Sequence, residues 1–268
     1  MGRFEDKIVL VTGASAGIGK ATAIAFAREG ARVVLVARRE ERLRQIARSI
    51  QEQGGRALVL PADITDHFQI SALVKTVEET CGPVDILVNN AGIGLLSSVV
   101  DMVPSELQRV MDVNFYAVVW LTQAVLPQMI ARKTGQIINV SSIVGKRTVP
   151  QMSAYCASKF ALQAFSESLR IEVAPHKIDV IVVCPSSTDT EFNTTSLMDR
   201  PINRVKWYAT SADRVAGLIV KASERRKREV VITWSGKGLV WANRLAPQLV
   251  DRIMGYLWAK LPKRSPDE

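Results

Sequence analysis

About seven short runs of consecutive apolar residues recur along the chain, each separated from the next by a stretch with helical spacing. No other feature narrows the fold as far. The runs fall at 7–12, 32–37, 56–60, 84–88, 136–141, 178–184 and 229–233, and they lack the polar alternation of a strand with one wet face. Strands apolar on both faces belong to a parallel sheet covered on each side. Parallel neighbours need a crossover between them, and the intervening stretches 17–29, 39–53, 66–80, 104–131, 153–174 and 212–225 are long enough to be helices. The expected class is α/β: one Rossmann-type doubly wound parallel sheet of about seven strands with helices on both faces.

Composition agrees with a globular chain. Of 268 residues, 47% are hydrophobic and 23% charged, with no low-complexity tract or Gly/Pro-rich linker to divide them. No run of about 18 uncharged apolar residues occurs, and the N-terminus leads straight into the first strand, so neither a spanning helix nor a secretory signal is expected. Cys81, Cys156 and Cys184 lack the paired spacing of a zinc or redox site and read as reduced core residues. His67 and His176 read as surface residues, and no metal site is expected. The net charge of +9 comes from Lys and Arg interspersed with Asp and Glu, without a nucleic-acid motif, so no nucleic-acid partner is expected.

Directly after the first run stands TGASAGIG, which places Gly13, Gly17 and Gly19 on a turn that opens a helix. A tight turn, close approach of backbone to a pyrophosphate and close helix–strand packing each exclude a side chain, while the helix start offers free N–H groups to an anion. That pattern points to a dinucleotide. An acidic residue at the end of the second strand would hydrogen-bond a ribose 2′-hydroxyl; here Ala37 is followed by Arg38 and Arg39. Guanidinium forks suit a 2′-phosphate, so NADP(H) is favoured over NAD(H), and Ser15 would add a hydroxyl. The alternative is that Arg38 and Arg39 merely begin a charged helix with Glu40, Glu41, Arg42 and Arg44.

The TGxxxGxG spacing resembles the short-chain dehydrogenase/reductase family, and the resemblance recurs at Asp63, Asn89-Asn90-Ala91-Gly92, Asn114, Ser142, and Tyr155 with Lys159, covering roughly residues 7–190. It implies a hydride transfer between a nicotinamide and a carbonyl or alcohol. Tyr155 would exchange the proton, Lys159 would lower the phenol pKa and reach the nicotinamide ribose, and Asn114 would support a proton-supplying water chain. Ser142, rather than its neighbour Ser141, would hydrogen-bond the substrate oxygen. Asp63 would hold the adenine edge. Ile18, Ile64, Asn90, Ala91, Gly92, Pro185, Thr188 and Thr190 complete the implied cofactor contacts. Ser186 departs from the family by replacing a glycine, a change that would alter the local backbone angles. A dimer or tetramer through the helices at 104–131 and 153–174 is also implied.

Residues 1–233 would then form the NADP(H)-binding and catalytic body, and 234–268 a C-terminal amphipathic extension of the same domain. From Leu249, apolar Val250, Ile253, Met254, Leu257, Trp258 and Leu261 recur at helical spacing opposite Asp251, Arg252 and Lys260. With Trp234, Trp241, Tyr256 and the basic run 225–228, this helix would lie on an anionic membrane surface, cover a greasy site, or dock on its own domain or a twin subunit. The expected location is cytoplasmic, with peripheral membrane contact as an addition. The stretch 186–210 reads as a functional loop. Leu95, Leu96, Val149, Met152, Phe192, Leu197 and Met198 point either to an apolar pocket for steroid, retinoid or fatty acyl carbonyls or to ordinary core. A non-catalytic NADP(H) sensor or scaffold is the alternative to an enzyme.

Overall fold

The computed structural model describes residues 2–192, 197–198 and 209–259. Its main sheet has seven strands: β1 (Ile8–Thr12), β2 (Arg32–Ala37), β3 (Arg56–Pro61), β4 (Ile86–Asn89), β5 (Gly135–Val140), β6 (Ile178–Cys184) and β7 (Glu229–Val231). All pair in parallel, in the order β3-β2-β1-β4-β5-β6-β7. The chain first builds outward from β1 to β3, then crosses back to β4 and builds the other way. Two neighbouring crossovers therefore leave β1 and β4 on opposite faces, and a crevice opens beyond their C-terminal ends.

Both faces of the sheet are covered. In β1, Val9 and Val11 pack under helices α1 (Gly17–Arg28), α2 (Glu40–Glu52) and α7 (Ala212–Glu224), while Ile8 and Leu10 pack under α3 (His67–Thr80), α5 (Ala117–Arg132) and α6 (Ser153–Val173). This double burial is the reason the strands read as unbroken apolar runs. Each helix turns one stripe inward: Leu43, Ile46, Ala47 and Ile50 on α2 are buried at i, i+3, i+4 and i+7. Side-chain caps fix several helix starts, as where Asp66 accepts from the amides of Phe68 and Gln69.

Three expectations are corrected. The helix foreseen over 104–131 is interrupted: α4 (Pro104–Met111) runs into a π-helical turn, Asp112–Tyr116, before α5 begins. Asn114 sits on that turn, buried, and its amide is drawn out to the main chain of Ile93. The last strand stops at Val231, because Thr233 accepts from the amide of Gly236 and caps a helix that the sequence reading did not include, α8 (Trp234–Leu245). α9 (Pro247–Ala259) follows at once. Finally, β7 is parallel to β6, so the basic run 225–228 lies at the N-terminal end of the strand, a strand length away from α8.

Within the 186–210 stretch, Thr188–Asp189 pairs with Thr210–Ser211 and Leu95–Leu96 pairs with Leu197–Met198. The rest of that stretch, and Lys260 and Leu261 of the foreseen C-terminal helix, lie outside the described residues. Leu95 is buried against Val110 and Ala154, with Leu197 packed on the same cluster, so these two serve the core rather than a pocket. Taken together with its π-helical turn, the stretch Pro104–Arg132 is long and apolar enough to cross a membrane by length and composition, yet Leu121, Val125 and Met129 on it are buried against the sheet.

Phe26 of α1 is fully buried and meets Phe4 edge-to-face at 5.0 Å. Phe26→Ala is expected to lower the unfolding free energy by about 3–5 kcal/mol in a denaturant titration, with the slope unchanged.

Candidate active site

A cavity of about 730 Å³ opens at the crevice beyond β1 and β4, where the C-terminal ends of six strands contribute to its wall. At one end lies the glycine turn. Gly13 has a φ of +65°, and a Cβ on it would come within 2.9 Å of Ala91 Cα. Gly19 does not line the cavity; a Cβ there would fall 2.3 Å from the Gly13 carbonyl oxygen, so its bare backbone lets α1 close onto β1. The turn is locked to the end of β4. Asn90 Nδ2 donates to the Thr12 carbonyl at 2.9 Å, and the Thr12 hydroxyl accepts from the amides of Asn90 and Ala91 at 3.0 and 3.1 Å. Thr12 was given no role by sequence reading, although it opens the TGASAGIG motif. With bare glycines on the turn and the start of α1 beside it, this cradle could hold a diphosphate.

The two arginines diverge. Arg39 donates through Nε and Nη2 to Ser15 Oγ at 3.1 and 2.9 Å, and through Nη1 to Glu191 at 3.1 Å. Arg38 instead leans 3.7 Å from Asp63 and is largely exposed. Glu191, unnoticed in the sequence, also accepts from Arg42 at 2.7 and 2.9 Å. The Arg42 and Arg39 guanidiniums hold its carboxyl below the usual carboxylate range. An oxyanion thus already sits between two guanidinium groups and beside a hydroxyl, which is a donor set suited to a phosphate. Partial burial pushes the Asp63 carboxyl up, but the Thr65 amide and hydroxyl together with Arg38 outweigh it and hold the group below its ordinary value. Ile18, Ile64 and Pro185 complete the wall. Thr190 seats its side chain 3.1 Å from where a Gly17 Cβ would be. The Thr188 hydroxyl is turned back onto the Ser186 carbonyl at 3.1 Å. Ser186 itself is not among the residues with positive φ, so the replaced glycine costs no strain.

At the other end Tyr155 and Lys159 stand one turn apart on the buried face of α6. Burial pushes the Tyr155 phenol well above its ordinary value, opposed by a hydrogen bond with Ser142. Burial likewise pushes the Lys159 ammonium down, to about 8. Its Nζ donates to the Val140 carbonyl at 3.0 Å and lies 5.8 Å from the centre of the Tyr155 ring. Burial, not the neighbouring cation that was expected to acidify the phenol, therefore sets the balance at Tyr155. Ser141 and Ser142 are distinguished by direction: Ser141 Oγ accepts from Gln163 at 3.3 Å inside the core, while Ser142 meets Tyr155. Asn114 does not line the cavity. It accepts from the Ile93 amide at 2.9 Å and donates to the Ile93 carbonyl and to Ser158 Oγ at 2.9 and 3.0 Å. The point that a Gly92 Cβ would occupy is 3.2 Å from Asn114 Oδ1 and 3.6 Å from Lys159 Nζ. Phe192, Met152, Ile93 and Val144 give this end an apolar lining. Among the described residues no cluster of His, Cys, Asp and Glu suits a metal ion.

A Rossmann sheet with a glycine cradle at one end of its crevice, and a half-buried serine with a buried tyrosine and lysine at the other, has the form of a nicotinamide-dependent oxidoreductase. The family model for short chain dehydrogenase matches residues 7–201, and the chain belongs to that family. It is 37% identical over 253 residues to a fatty acyl-CoA reductase of Acinetobacter baylyi, covering 93% of this chain and 83% of that protein. A crystal structure of a metagenomic short-chain oxidoreductase in complex with NADP matches with TM-score 0.75 and 33% identity, over 86% of this chain and 98% of that one. The fold also matches that of a Burkholderia phymatum family member in complex with NAD at TM-score 0.84 and 22% identity, with full coverage of both chains.

An amine whose folded-state value is about 8, against an ordinary 10.5, weakens the fold wherever it must be charged, and that cost disappears as pH climbs through this window. Relative to Lys159→Met, the wild type should therefore gain up to roughly 3 kcal/mol of stability between pH 8 and pH 10.5, read from paired denaturation curves.

Proposed function

We propose that the chain is an NADP(H)-dependent oxidoreductase that interconverts a carbonyl and a primary or secondary alcohol on an apolar substrate, with Tyr155 as the general acid and base. The observation that carries this reading is the Tyr155 phenol, held with Ser142 and Lys159 at the far end of a cavity that begins on a glycine cradle. A bound nicotinamide supplies or accepts the hydride. The protein's own groups do the rest. Burial keeps the proton on the Tyr155 oxygen until a substrate carbonyl oxygen arrives to take it. The Ser142 hydroxyl holds that oxygen within reach of the phenol, and the Lys159 ammonium lowers the cost of the phenolate left behind.

Asn114 anchors the main chain of Ile93, next to Gly92, and from there supports a water chain that resupplies the proton. Arg39 and Ser15, with Arg42 beside them, favour the 2′-phosphate of NADP(H) over the bare hydroxyl of NAD(H). The NADP found in the 33%-identical metagenomic structure supports this assignment. The apolar lining and the name of the Acinetobacter relative support a long-chain or otherwise lipid-like carbonyl substrate. Tyr116 of the π-helical turn, with Phe160 and Ile171 of α6, stands exposed on this helical layer and supports a homodimer or homotetramer through it. Free thiols at Cys81, Cys156 and Cys184 suit the reducing cytoplasm.

In an assay following reduced-cofactor absorbance against ketones and aldehydes, Tyr155→Phe should lose turnover by about 10²–10⁴-fold while NADPH affinity stays within a few-fold. Equal turnover by that variant would take the proton transfer away from Tyr155, whereas a wild type that oxidises no NADPH with any of these carbonyls would return the chain to the sensor class. Arg39→Ala should lower kcat/KM for NADPH by roughly 10–100-fold and leave the NADH value nearly unchanged, because only the phosphate loses its fork.

A further inference from the structure

Seven of the fifteen large apolar side chains that stand exposed among the described residues fall within α8 and α9. On α8 they are Trp234, Trp241 and Leu245, at i, i+7 and i+11; on α9 they are Leu249, Ile253, Tyr256 and Leu257, at i, i+4, i+7 and i+8. Each set is one stripe along its helix. Neither stripe faces the body of the protein, which α8 meets through buried Gly236 and α9 through buried Val250. An amphipathic surface helix ordinarily turns its apolar stripe inward, so two adjacent helices presenting theirs to solvent mark a contact surface.

The charges around these stripes select the occupant. Residues 234–259 carry Lys237, Arg244 and Arg252 against a single acid, Asp251, and Asp251 is already engaged by Arg147 at 2.6 Å. Lys237 Nζ lies 4.5 Å from the Trp234 ring centre, a cation held at the edge of the apolar stripe. In a two-fold contact between copies, each patch would meet itself and set these cations against their own kind. A sheet of anionic headgroups above acyl chains complements both features at once.

We propose that α8 and α9 form a docking surface for an anionic lipid membrane, on which the protein lies peripherally. Geometry gives the docking a consequence. Ile143 and Val144 line the catalytic cavity, and a Cβ on Gly236 of α8 would lie 3.2 Å from Ile143 Cδ1. Arg147, just beyond, bonds Asn243 of α8 and Asp251 of α9. The docked helices are thus fastened to the cavity rim, and a lipid-like substrate leaving the bilayer meets the site without crossing water. The docking itself does not depend on the catalytic reading.

The test is co-sedimentation of the full-length protein with vesicles of phosphatidylglycerol and phosphatidylcholine, and with vesicles of phosphatidylcholine alone. Wild type should sediment with the anionic vesicles. Trp241→Gln/Leu249→Gln/Ile253→Gln, all at exposed positions, should bind at least about tenfold more weakly, while Arg244→Gln/Arg252→Gln should lose roughly thirtyfold on the anionic vesicles alone. Wild type that stays in solution, or a triple variant that partitions like wild type, would overturn the proposal. So would a wild-type oligomer that only the triple variant dissociates in sedimentation velocity without lipid, since a second copy would then be covering the face.

Discussion

Lys159 carries its ammonium in the interior of the protein at 3% exposure, hydrogen-bonded to the carbonyl at the end of β5. At neutral pH this burial costs roughly 3 kcal/mol, a large share of what holds a domain of this size together. An apolar residue there would be cheaper. The cost is met by the sheet behind it, whose strands are buried on both faces, and by α6, which is packed along one side from Tyr155 to Val173. What the protein gains is a cation fixed one helical turn from a phenol on the wall of the same cavity.

The rest of the site follows from how the chain crosses the sheet. Because it returns from β3 to β4 next to β1, residues as distant as Thr12 and Asn90 are brought within one hydrogen bond of each other. The glycine cradle and the Tyr155 pair thereby share one cavity although more than half the chain separates them. The π-helical turn at Asn114 belongs to the same construction. Widening the helix by one residue is tolerated because the asparagine amide captures both main-chain groups of Ile93 and anchors the rim on which Gly92 stands.

Much of this was legible from residue order. Double-faced burial of parallel strands leaves unbroken apolar runs, so sheet class and strand count could be read directly. The glycine turn and the Tyr155–Lys159 spacing are weak patterns alone and were singled out by their strand-turn-helix setting and by the resemblance to one family. What escaped depended on contacts between distant segments. Nothing near Glu191 announces that its carboxylate will lie between Arg39 and Arg42, and nothing near Arg38 says that it will turn toward Asp63 and leave the cradle to Arg39. α8 was hidden by Gly236 and Gly238, which weaken helical propensity, and was recovered through the cap at Thr233. The reading of the lysine as the group that acidifies the phenol left out burial, which pushes the Tyr155 phenol up and the Lys159 ammonium down.

The central claim is that one cavity delivers a hydride to a carbonyl carbon while Tyr155 protonates its oxygen. A single turnover with NADPH deuterated at the transferable position of the nicotinamide tests it most directly, with the product analysed by mass spectrometry and NMR. The account predicts one deuterium on the carbinol carbon and none exchanged to solvent. Product without deuterium at that carbon, or reduced cofactor that never loses its label to any carbonyl, would contradict it.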